Sequence, residues 1–134
     1  MPINVLHRKF LKNYLQLPKR TPTKEIFTKS NILPLSDLFQ LSVCKLIYTF
    51  LYSPLCLPPT ISSLFHLTSQ MHSHATRAST NLNLFTNSSN STARANSISY
   101  ISPAIWNYIP DDLKLATSPY LFQKNFKKYF LSKL

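Results

Sequence analysis

Glycine is missing altogether from this chain of 134 residues. Average usage of about 7% would supply roughly nine, and glycine is the usual residue at left-handed helix caps, tight hairpins and phosphate-cradling loops. Glycine-rich nucleotide loops are therefore excluded. So is the strained strand-to-helix elbow that presents a nucleophilic serine. Positions of positive φ fall to Asn or Asp, at some energetic cost. Ten prolines add further breaks, which predicts short helices joined by irregular segments.

Acidic residues are almost as scarce. Four Asp and Glu stand against fifteen Lys and Arg, a formal charge of +11, so the surface potential favours polyanions such as nucleic acid or acidic lipid. With 44% hydrophobic and only 14% charged residues, the chain is too apolar for generic disorder and should fold or seek a partner. The two cysteines, Cys44 and Cys56, form no CxxC pair, so neither a zinc site nor a disulfide framework is indicated; both are expected as free, buried thiols. No long apolar run exists either. The most apolar stretch, "LIYTFLYSPLCL" at 46–57, is too short to span a bilayer and is broken by Pro54. In "MPINVLHRKFLKNYLQL", His7, Arg8, Lys9 and Lys12 stand where the apolar region of a signal peptide would lie, which predicts an intracellular protein, cytoplasmic or nuclear and not secreted.

The patterning that remains is helical. Apolar positions 3, 6, 10, 14 and 17 recur at helical spacing with Arg8, Lys9 and Lys12 between them, predicting a basic amphipathic helix ended by Pro18. "KRTPTKEIF" predicts a second, with Thr21 as N-cap, Pro22 in the first helical position and Glu25 in the first turn. The strongest pattern is "ILPLSDLFQLSVCKLIYTFLY", where Ser36 can cap and Leu38, Phe39, Val43, Leu46, Ile47, Phe50 and Leu51 form one wide stripe. Residues 68–97 lose the hydrophobic period; Ser, Thr and Asn dominate, and only "NLNLF" reads as extended. "SISYI" at 97–101 alternates like a short strand, and "AIWNYI" and "IPDDLKL" each suggest a helical turn. "TSPYLFQKNFKKYFLSKL" predicts a last helix with Ser118 as N-cap, Phe122, Phe126, Tyr129 and Phe130 on one face and Lys124, Lys127 and Lys128 elsewhere. The expected class is mainly α: a small irregular helical domain or fragment with at most a short β-hairpin. It divides into a helical segment 1–67, an irregular segment 68–97, and a segment 98–134 that ends in a basic helix.

No catalytic constellation is found. "YIPDD" at 108–112 invites comparison with the paired aspartates of polymerases, but Pro110 disturbs the hairpin that would present them and Asp37 is the only other aspartate. Asp111 and Asp112 read better as first-turn anions complementing a helix dipole. His72 and His74 alternate, so on a strand they would point to opposite faces, and they lack the further ligands a stable metal site needs. No metal, cofactor or small-molecule substrate is expected. Trp106 among Ile105, Tyr108 and Ile109 fits either a core plug whose indole N–H finds a carbonyl, or a platform for a base.

Read in order, "IFTKSNILPLSDLFQLSVCKLIYTFLY", "LPPTISSLF", "HSHATR", "NLNL", "SISYISPAIWNYIPDDLK" and "LFQKNFKKYFL" resemble the C-terminal tail of non-LTR (LINE-type) retrotransposon reverse transcriptases, of the jockey type and related elements. The resemblance covers nearly the whole chain, and "VLHRKFLKNYLQLPKRTPTKEIF" is similar to the region joining the polymerase palm to that tail. It implies a non-enzymatic piece of a longer protein whose endonuclease and polymerase domains, including the palm, are not in this chain. It also implies nucleic acid, RNA or DNA, as partner. The tail's signature positions would be His72, His74, Thr76 and Arg77, then Pro103, Trp106, Asn107 and Pro110. Charge adds Arg77, Arg94, Lys124, Lys127 and Lys128 as candidate phosphate contacts. Members usually carry glycine where this chain has Ser102, and another in the stretch matching "ARANSISY"; both losses read as positions that wanted positive φ. Two other readings compete: a relic reading frame without selected activity, and a cationic membrane-surface protein using its terminal helices.

Overall fold

The computed structural model describes residues 2–71, 82–86 and 90–134. The chain is mainly α. The helices are α1 (Ile3–Tyr14), α2 (Thr23–Ser30), α3 (Leu35–Tyr52), α4 (Pro59–Ser62), α5 (Thr68–Met71), α6 (Thr92–Ala95), α7 (Ile98–Tyr108), α8 (Asp111–Lys114) and α9 (Pro119–Ser132), with a 3₁₀ turn at Pro54–Cys56. Among the described residues, β pairing is limited to an isolated antiparallel bridge between Leu67 and Leu84. Two compact units are formed, one from Met1–Leu41 with Gln123–Leu134, the other from Ser42–Phe122.

In the first unit, Leu11, Ile26 and Phe27 make a buried cluster against which Leu17, Ile32 and Leu131 pack. The His7 ring lies 5.5 Å from that of Phe27. Helix α1 ends at Tyr14, before Pro18 is reached, and the stop is made by backbone geometry. Gln16 takes φ 53°, its N–H donates to the Asn13 carbonyl at 3.2 Å, and the Leu17 N–H donates to the Lys12 carbonyl at 2.9 Å. This is a Schellman closure, with Leu17 folding back onto the core as its hydrophobic partner. The expectation that Asn and Asp would take the positive-φ positions holds only at Asn31, which ends α2; Gln16 and Leu82 take the others among the described residues.

The face of α1 is the main correction here. Its predicted stripe, Ile3, Leu6, Phe10 and Tyr14, is exposed, and the helix buries Leu11 instead. Spacing identifies which side chains share a face, but not which face meets the rest of the molecule. Two cap assignments also shift. Thr21 donates its hydroxyl to the Pro18 carbonyl at 2.7 Å, leaving Pro22 at the N-cap of α2. Helix α3 already begins at Leu35, so Ser36 lies inside it, and the Pro34 carbonyl accepts from the Leu38 N–H.

In the second unit, α3 contributes buried Val43, Cys44, Ile47 and Tyr48. The Tyr48 ring stands 4.9 Å from Phe122, and Phe122 stands 6.0 Å from Trp106, so the aromatic rings run in a row through the core. Each fully buried large apolar side chain of this kind contributes about 1.5–3 kcal/mol relative to exposure. Tyr48 donates its hydroxyl to the Ala116 carbonyl, and Tyr52 donates to the Lys114 carbonyl at 2.6 Å. These bonds satisfy carbonyls at and just beyond the end of α8 that have no helical partner. Phe39, placed in the α3 stripe by its spacing, is exposed. So is Cys56, against the expectation of two buried thiols.

The alternation of "SISYI" does not make a strand. Residues 98–108 are one helix with Pro103 inside it. The apolar residues of this region, Ile98, Ile101, Ile105 and Ile109, recur every three or four positions, and a five-residue window was too short to separate that period from two. Ser102 is helical and completely buried. Neither it nor the 93–100 stretch adopts positive φ, so the position asks for small volume between packed elements and not for left-handed backbone.

Candidate nucleic-acid interface

The signature positions that the structure describes do architectural work. Trp106, fully buried, donates its indole N–H to the Leu82 carbonyl at 3.0 Å. The next residue, Asn107, donates to the Leu84 carbonyl at 2.9 Å and accepts from the Leu84 N–H at 2.8 Å. Between them, the Lys114 ammonium donates to Asn83 Oδ1 at 2.8 Å. Three successive residues, 82 to 84, are thus held by three side chains of α7 and α8. From the other side the Thr68 N–H and hydroxyl both donate to the Asn83 carbonyl, each at 3.0 Å, and the Phe85 N–H donates to the His66 carbonyl at 2.7 Å. Pro103 is buried in α7, and Pro110 precedes α8, whose first turn carries Asp111 and Asp112. Trp106 in this position has no free face to offer a base.

Lys114 shows how misleading a count of lysines can be. It is 1% exposed, bonded to Asn83, 3.3 Å from Asp111 Oδ1, and 5.8 Å above the Trp106 ring. Its charge is spent inside the second unit. Cys44, nearby in charge terms, has its thiol pushed up to about 12 by burial, an effect the Lys114 cation only partly opposes.

The remaining charge is segregated. The first unit carries eleven Lys and Arg against two acidic residues, a net +9; the second carries four against two, a net +2. In the first unit, Lys9, Lys19, Arg20 and Lys24 are exposed. Lys29 is exposed but ion-paired to Glu25 one helical turn away. Lys9, Lys12, Asn13, Leu17 and Lys19 line a groove of about 370 Å³. The Lys12 ammonium donates to the Lys19 carbonyl at 2.7 Å, which ties the chain after the Schellman closure to α1 and forms one wall. An adjoining hollow is lined by Arg8, Lys9, Lys12 and Thr23 among others.

Of the predicted contacts, Lys124 and Lys128 are exposed on α9 and Lys127 is half-buried. At helical spacing all three share a face with Leu131, which packs against the α1–α2 cluster. The lysine row lies roughly opposite the buried Phe122, Phe126 and Phe130 of the same helix. The Ser118 hydroxyl caps this helix, accepting from the Leu121 N–H at 3.2 Å. Arg94 is exposed on α6 in the second unit. His72, His74, Thr76 and Arg77 lie outside the described residues.

The groove residues Lys9, Lys12 and Lys19 were not singled out by sequence reasoning. The signal was there in the basic amphipathic pattern of α1, but the groove exists only because the chain turns back at Gln16. Among the described residues no three His, Cys, Asp or Glu side chains gather in a way that could hold a metal ion, and no helix is long and apolar enough to cross a membrane. Compared with models of protein families, with curated proteins and with solved structures, the chain has no match in any of the three.

Proposed function

We propose that this chain is a non-enzymatic nucleic-acid-contacting segment, the C-terminal tail of a non-LTR retrotransposon reverse transcriptase, and that it holds RNA or DNA through its first unit. The supporting observation is the concentration of positive charge there, a net +9 over the unit, which includes the Lys9–Lys12–Lys19 groove and the α9 lysine row. A polyanion gains most where cations cluster, because each phosphate neutralised releases condensed counterions. The resemblance supplies the identity of the polyanion, and the charged N-terminal pattern supplies the intracellular setting, cytoplasmic or nuclear, in which it would be met. The buried Trp106–Asn107–Lys114 clamp serves as scaffold in this reading and touches no ligand.

The test is the salt dependence of binding to a single-stranded RNA. With about five phosphate contacts, log affinity should fall against log salt with a slope near −3 to −4. Replacing both Lys124 and Lys128 by Ala should make the slope shallower by about 1.4, since each contact contributes roughly 0.7. Lys114→Met should leave it unchanged. A wild-type chain that is not retained on RNA, with a slope near zero, removes the proposal.

A further inference from the structure

The exposed face of α1 bears two aromatic rings that no core contact explains. Phe10 is 65% and Tyr14 73% exposed. Their ring centroids lie 6.2 Å apart with planes only 10° from parallel, so the two rings stand aligned on the solvent side of the helix. Around the helix, at about 100° per residue, Asn13 falls between Lys9 and Phe10, and Tyr14 follows Phe10. The groove lined by Lys9, Lys12, Asn13, Leu17 and Lys19 thus opens on the flank of α1 next to the ring pair, with Asn13 at the boundary. Lys12 gives one of its three ammonium donors to the Lys19 carbonyl and keeps two for a ligand.

A solvent-facing aromatic surface beside a cationic groove is what an unpaired strand requires: bases stack on rings while the backbone follows the cations. A duplex hides its base faces and could use only the lysines. We infer that Phe10 and Tyr14 form a base-stacking subsite, and that the occupant of α1 is single-stranded nucleic acid with its phosphates in the Lys9–Lys12–Lys19 groove. This rests on the nucleic-acid reading above and narrows it to unpaired strands. The charge complementarity of the groove is what selects a polyanion over a neutral apolar partner for this face.

The test compares wild type with a Phe10→Leu, Tyr14→Leu double variant, which keeps apolar area but loses both aromatic faces. Both positions are exposed, so the variant leaves the core intact. Binding is measured to a 12-nucleotide oligoadenylate and to phosphatidylserine vesicles. The inference expects the variant to bind the oligonucleotide about 10-fold or more weakly with the same salt slope, because stacking contributes roughly 1–3 kcal/mol per base and involves no counterion. A Tyr14→Trp variant supplies an independent readout: its exposed indole fluorescence should be quenched when the oligonucleotide binds. If wild type binds the oligonucleotide and the double variant binds equally well, the stacking subsite is wrong while the nucleic-acid reading stands. Vesicle binding by both proteins, with the oligonucleotide affinity unaffected by the substitutions, assigns the face to a membrane surface and also overturns it. Failure of the wild type to bind any nucleic acid removes both readings together.

Discussion

Asn107 grips Leu84 at both of its backbone groups, accepting from the N–H at 2.8 Å and donating to the carbonyl at 2.9 Å. A side-chain amide here does what a neighbouring strand would do. On its other side, Leu84 completes the pairing through its bridge to Leu67. Both polar backbone groups of Leu84 are therefore satisfied without a sheet, which is what allows Leu84 to be buried. Asn107→Ala leaves a buried N–H and a buried carbonyl without partners. We expect it to lower unfolding free energy by about 2–4 kcal/mol in urea titrations, at 1–3 kcal/mol per orphaned group. Trp106→Phe, losing one donor and some area, should cost about 1–3 kcal/mol on the same grounds. A loss below half a kcal/mol at Asn107 would mean the clamp is not formed.

Ser102 carries a fully buried hydroxyl without a hydrogen-bond partner. Replacing it by Ala removes the orphaned group and improves helix propensity, so Ser102→Ala should stabilise the chain by about 1–2 kcal/mol. Ser102→Val should cost about 1–3 kcal/mol by overfilling the site. If the position instead demanded left-handed backbone, Gly would be the only stabilising replacement and Ala would give no gain.

Gln16 holds the residue position after the α1 cap in the left-handed region, where a Cβ costs about 1–2 kcal/mol. Gln16→Gly is expected to raise stability by about 0.5–1 kcal/mol, the relief being partly offset by glycine's greater freedom in the unfolded chain. Gln16→Val should lower it. Denaturation midpoints of the two variants, moving in opposite directions about wild type, are the check.

Thiol titration separates the cysteines. The native chain should expose one reactive thiol, Cys56, and the denatured chain two, because Cys44 is buried. The same burial makes stability depend on pH. The Cys44 thiol is raised from 9.0 to about 12, chiefly by desolvation, and the Tyr48 hydroxyl is raised by burial and by neighbouring Tyr52. In the folded chain both groups keep protons that the unfolded chain has already lost. Their contribution is complete below pH 9 and is lost as pH climbs toward 12, by up to about 1.4 kcal/mol per pH unit for Cys44. Urea midpoints measured from pH 8 to 11 should fall with this slope, and Cys44→Ala should flatten it.

Local and repetitive features were legible in the sequence. The α3 stripe, the Ser118 cap with Pro119 behind it, and the phenylalanines of α9 depend on residues within one or two turns of each other, so spacing alone reveals them. Absent glycine and scarce acid likewise bounded the chemistry, because composition limits what any fold can build. Which side of α1 faces inward could not be read this way. Leu11 is buried by Ile26 and Phe27, far along the chain, while Phe10 and Tyr14, equally apolar and equally well spaced, remain in solvent. Lys114 is the same lesson in charge. A lysine is a surface residue by type, but Asn83, thirty-one residues away, offers this one a partner where it is buried. Burial and pairing are properties of contacts between distant segments, and only the tertiary structure brings those segments together.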